Sequence, residues 1–301
     1  MILRPFSARS IMVILTGKAS ILRNVLSIVL ASSKNEKNAI LTWEDLSHEY
    51  RKFLNLYALM ECDESSCQPA FCSSPERLKK LKKRFEGYEI LDDLGQGSVI
   101  SSGNSFAPSI IHEKLMCGLV YLKDKSPDHY DLFNLVISDF IVAPSERARA
   151  GSTSSAPGCV WIADIERYQS WEVAEILVHE LVHNLVFLDE LVKSHYDYEL
   201  ITKKENYATS SILKVLRPVD KVLHSIIVAT EILLYRERIG STKITHRVHP
   251  PTPLLIEQLE NSLQSMRILL SRKPAVLTAR GRELFEFCSE NCARFLDDSS
   301  D

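Results

Sequence analysis

The segment from Trp171 to Val192 runs without Gly or Pro and is apolar nearly all round, from Leu177 and Val178 through Leu185 and Leu188. A chain with such a segment must bury it, so a helix through the middle of the molecule is the first constraint on the fold. Within it stand His179-Glu180-Leu181-Val182-His183. Histidines four apart lie about 40° apart around a helix, so both imidazoles reach one metal ion. Glu180 sits about 100° round from His179, where a carboxylate addresses metal-bound water. Polar side chains on a buried helix need partners. A metal would provide them, and two satisfied core histidines are the plainer alternative.

The third ligand decides the class. A metzincin continues with Gly three residues after the second His and another His three further on, but Val186 and Asp189 occupy those positions. A gluzincin ligand is expected near position 203, which is Lys, with Glu199 and Glu205 flanking it. His195 would serve only if the helix broke before it. His224 is the better candidate, carried with Ile226, Ile227 and Val228 on an apolar helix that is expected to start at Pro218 and stop at Gly240. A lone His there is otherwise a core residue. Arg217 precedes His224 by seven residues, two helical turns, and so is expected on nearly the same face. An arginine above a metal suggests a fork for a carboxylate, and an ion pair with Asp220 or Glu180 is the ordinary reading.

Around these residues the chain reads as α+β and predominantly helical. The first ~60 residues read as helical, Glu61–Pro75 as a polar linker, and Glu76–Arg84 as a short solvated helix. The β-branched and aromatic runs at 117–123, 133–143 and 159–165 suggest strands, with a loop at Ala150–Gly158. Helices near 254–272 and 276–296 close the chain. Residues 1–75 are taken as an N-terminal helical extension with its linker, and 76–301 as the catalytic domain.

Charge and composition exclude some partners. Lys and Arg number 36 against 39 Asp and Glu, a net charge of −3, which argues against a nucleic-acid surface. Residues 11–30 are apolar, but Lys18 and Arg23 leave no uncharged run near the ~20 residues of a bilayer span. Arg4 and Arg9 before Ile11–Thr16 resemble a signal peptide, and the lack of acids before Glu36 resembles a transit peptide. A helix packed on the body is the preferred expectation. Seven cysteines, an odd number, fit free thiols in a reducing cytoplasm. The regular spacing of Cys62, Cys67 and Cys72 does not suit a metal knuckle.

Three stretches together carry a resemblance: Ser152–Ile165 (STSSAPGCVWIADI), Ile176–Leu188 (ILVHELVHNLVFL) and Leu216–Ala229 (LRPVDKVLHSIIVA). In order and spacing they resemble the HExxH-motif putative peptide-modification proteins of ribosomal-peptide biosynthesis, over roughly residues 105–240. The resemblance implies a zincin-like, metallopeptidase-type scaffold with a small antiparallel sheet packed on the HExxH helix. It implies an iron(II)- and 2-oxoglutarate-dependent hydroxylase that modifies a β-carbon of a precursor peptide, with O2 as co-substrate. His179, His183 and His224 would bind Fe(II), and Arg217 would take the distal carboxylate of 2-oxoglutarate. Glu180 would then orient a ligand, a water or the peptide. Cys159–Ile165 would offer a strand edge to an extended peptide. Residue chemistry by itself slightly favours a Zn2+ peptidase with Glu180 as base and His224 or a nearby Glu as third ligand, and a non-catalytic domain with a structural metal ranks below both.

Overall fold

The computed structural model describes residues 17–32, 42–58, 60–72, 74–85, 100, 108–145, 148–210, 214–244 and 247–298. Two helices open it, α1 (Lys18–Ser32) and α2 (Trp43–Ala58). The signal- and transit-peptide features at residues 1–16 lie outside the described residues. Among its described residues before α3, the polar linker is irregular except for β1 (Ala70–Phe71), which joins the sheet. Helix α3 (Pro75–Arg84) follows, with Ser74 as its N-cap and Pro75 in its first turn.

One of the expected strands is helical and a second is so over its first four residues. Residues 117–123 belong to α4 (Pro108–Lys125), whose buried Ile111, Leu115, Leu119 and Leu122 share one face. Seven residues were too short a window for that period to show. Phe133–Val136 close α5 (Pro127–Val136), and only Asp139–Val142 form β2. A run buried on every side has no alternation by which strand and helix can be told apart. The remaining strands are β3 (Ala150–Gly151) and β4 (Cys159–Ile162).

The sheet order is β1-β2-β4-β3. Strands β1, β2 and β4 run parallel and only β3 is antiparallel, so the sheet is mixed where an antiparallel one was expected. The β1–β2 connection encloses α3, α4 and α5, whose return brings β2 in parallel to β1, while β4 comes in parallel to β2 after the short excursion through β3. Strand β4 lies between β2 and β3, and β3 pairs with Trp161 and Ile162, so those two residues present no free edge.

Helix α6 (Ser170–Val192) is the expected central helix, with Val173 through Val178 all buried. It packs against α1, α4 and α5, and against α8 (Val219–Arg238) beyond α7 (Tyr198–Ile201) and the hairpin of β5 (Ala208–Thr209) with β6 (Leu216–Arg217). Helices α9 (Thr252–Arg272) and α10 (Ala279–Asp298) pack on each other and on α8. One cluster of buried apolar side chains extends from Ile21 in α1 to Phe295 in α10. The architecture is therefore predominantly helical with a small sheet. No helix among the described residues is long and apolar enough to cross a membrane.

Candidate metal centre and its cavity

Helix α6 carries His179 and His183 on one face, as their spacing requires, and places their Nε2 atoms 3.2 Å apart. Two nitrogens bound to one ion at about 2.0–2.1 Å stand at close to that separation. Helix α8 brings His224 alongside, with its Nδ1 3.5 Å from Nδ1 of His183 and the rings stacked at 5.8 Å between centroids. Phe187, one turn beyond His183, packs against His224 at 5.3 Å. His224 thus meets the Nδ1 edge of His183 and not the Nε2 edge that faces His179. Among the described residues, no group of three or more His, Cys, Asp or Glu side chains closes on a single metal position.

Burial dominates the electrostatics. It pushes His183 down to about 4, with Lys221 and His249 adding repulsion. Burial likewise holds His179 and His224 well below the usual imidazole range, reinforced by neighbouring histidines. Shifted this way, all three rings favour the neutral form, whose lone pair is the donor chemistry that iron(II) or zinc needs.

Glu180 is buried, and burial pushes its carboxyl up to about 8, while a hydrogen bond from Ser152 works in the opposite direction. The Ser152 hydroxyl donates to Oε2 over 2.7 Å. Oε1 lies 3.8 Å from Nε2 of His179. Asn184 ties this corner together. Its Nδ2 donates to Ser152 Oγ (3.0 Å) and to the Glu180 carbonyl (2.9 Å), and its Oδ1 accepts from the Gly158 N–H (2.8 Å). Gly158 has φ +79°, and a Cβ there would come within 3.0 Å of the Val136 carbonyl, so this tight turn into β4 needs glycine.

The three histidines open into a cavity of about 490 Å³. Its walls include Ser152–Ser154 from the serine-rich loop, Arg217 of β6, and Asp220 and Lys221 in the first turn of α8. Arg217 is in β6, before the helix begins, so the shared-face argument does not hold for it. The β5–β6 hairpin brings it to the cavity instead. The alternative ligands go elsewhere: His195 bonds Asp189 at 2.7 Å and is fully buried, and neither Glu199 nor Glu205 lines the cavity.

Three residues escaped the sequence reading. His249 reaches over α6 and places Nε2 2.7 Å from Nδ1 of His179, and its own Nδ1 2.8 Å from Oε1 of Glu175. Arg236 of α8 grips Glu175 with two hydrogen bonds of 2.9 and 2.8 Å. Glu175 stands four residues before His179, the same step that separates His179 from His183, and that spacing was the available signal. His249 sits in an irregular polar stretch and gave none. The chain matches no protein-family model, and no curated protein matches it.

Proposed function

We propose that this protein is an iron(II)- and 2-oxoglutarate-dependent hydroxylase acting on a β-carbon of a ribosomally synthesised peptide. The observation that supports the reading is the shared cavity: neutral His179, His183 and His224 lie in its wall together with the cations Arg217 and Lys221. A metal-chelating dicarboxylate needs that combination, one end at a metal and the other at a guanidinium.

In this reading His179 and His183 would hold the metal through their facing Nε2 atoms, His224 would have to turn from the Nδ1 edge of His183 to serve as third ligand, and Arg217 would bind the distal carboxylate of 2-oxoglutarate. Bound iron supplies the activation of O2 that no amino-acid side chain provides. The balance is 2-oxoglutarate, O2 and a peptide C–H giving succinate, CO2 and a peptide C–OH. Glu180 acts on the enzyme's own structure: through Ser152 it holds the serine-rich loop against α6, so the loop that lines the cavity is fixed from below. Thr153 and Ser154 on that loop are the groups positioned to meet a peptide backbone.

One observation favours a second reading, a zinc peptidase. Glu180 Oε1 lies 3.8 Å from His179 Nε2, close enough to act on a water between them. A single experiment separates the two. Protein reconstituted anaerobically with Fe(II) is mixed with 2-oxoglutarate, O2 and candidate peptides, and masses are read. A gain of one oxygen with matching succinate is expected. Cleavage that needs zinc and is indifferent to O2 overturns the hydroxylase.

A further inference from the structure

The segment carrying His249 is strapped to the molecule on both sides of that residue. Arg149 donates to the carbonyl of Val248 (2.9 Å), and Arg247 forms an ion pair with Glu172 in the first turn of α6. Arg236 donates to the Pro250 carbonyl (2.8 Å) with one nitrogen while its other two hold Glu175. The His249 side chain is 8% exposed, closed in between Glu175 and His179. A surface histidine needs none of this.

The proton directions follow from the partners. Glu175, held by Arg236, is an acceptor, so His249 donates Nδ1–H to it. With Nδ1–H given to Glu175, the imidazole of His249 presents its Nε2 lone pair and accepts Nδ1–H from His179. That leaves the lone pair of His179 on Nε2, the atom facing His183. We infer that His249 is a positioning residue, which with Glu175 and Arg236 holds His179 in the one tautomer and orientation able to bind a metal beside His183. The inference rests on the metal site of the proposed function, whichever reaction that site carries out. A metal-bound histidine whose other nitrogen is hydrogen-bonded gains basicity and a fixed ring plane.

Co(II) titration of the full chain, followed by visible absorption, tests it. His249→Leu is expected to weaken Co(II) binding by about 10–100-fold. His249→Gln is expected to restore it to within about threefold, because the Gln amide accepts from His179 and donates to Glu175 as the imidazole does. Thermal unfolding of both variants checks the fold, and His179→Ala is expected to abolish binding. Wild-type affinity in His249→Leu, or a folded His249→Gln as weak as His249→Leu, overturns the positioning role. Wild-type protein that binds no Co(II), or binds it equally in His179→Ala, overturns the metal site and this inference with it.

Discussion

Ser152 donates its hydroxyl to Glu180 across 2.7 Å, joining a loop that lines the cavity to the second residue of the HExxH motif. The contact gives the carboxylate a job that a neutral amide can also do, since Gln accepts the same hydrogen bond. In a hydroxylase, Glu180→Gln is therefore expected to keep activity within about tenfold, whereas loss of a general base typically costs about 10²–10⁴-fold. Turnover of a peptide substrate by wild type and Glu180→Gln, with Glu180→Ala for comparison, decides it. Activity abolished by Glu180→Gln alone, with loop and metal content intact, goes against the structural role.

Arg217 and His224 belong to the same cavity but differ in their expected effects. Arg217→Ala removes a carboxylate fork and is expected to raise the KM for 2-oxoglutarate by about 10–100-fold, since a charged hydrogen bond contributes about 1.5–3 kcal/mol. Its metal content should stay at the wild-type level. His224→Ala is expected to lower metal content while the unfolding temperature holds. Steady-state kinetics and metal analysis on both proteins check the assignment, and unchanged metal content in His224→Ala would remove that residue from the site.

How much of this was readable from residues depended on how far apart in sequence the partners lie. The central helix and the pairing of His179 with His183 follow from a period of 3.6 within a single element. So does the start of α8 beside Pro218 and its end near Gly240, whose φ is +69°. The hairpin that delivers Arg217 comprises two-residue strands, too short for any alternation to appear. His249 is 70 residues from His179, in a stretch whose structure is set by Arg149, Arg236 and Arg247 and not by its own sequence pattern. Contacts of that kind are tertiary, and no local propensity encodes them.

Gly118 shows how closely α4 must approach the metal-bearing helix. A Cβ at this position would lie 2.4 Å from Cγ1 of Val173 and 3.5 Å from the backbone nitrogen of Ala174. Alanine improves helix propensity by about 0.8–1.0 kcal/mol. Overpacking against a β-branched side chain, which has little rotamer freedom to yield, costs about 1–3 kcal/mol. The clash is expected to win, so Gly118→Ala should lower stability by about 1–2 kcal/mol in urea unfolding. A variant more stable than wild type would mean the two helices can separate freely.

Asp189, at the far end of the same helix, accepts four hydrogen bonds: from Asn24 (2.6 Å), His195 (2.7 Å) and two nitrogens of Arg280 (2.8 and 2.9 Å). Burial alone would raise this carboxyl, but the bonds from His195 and Arg280 more than reverse that and hold it well below the usual carboxylate range. With the folded-state value depressed, the unfolded chain takes up the proton first as pH falls. The stabilisation is complete above the unfolded value of about 4 and drains away below it. Asp189→Asn loses the charge facing Arg280 and is expected to destabilise by about 3–5 kcal/mol at neutral pH, as when one partner of a buried pair is removed. The gap between wild type and Asp189→Asn should stay constant from about pH 5 to 8 and narrow steadily below pH 4. Urea unfolding of both proteins across that range measures it, and a gap that stays level down to about pH 2.5 would show that Asp189 keeps no depressed carboxyl in the fold.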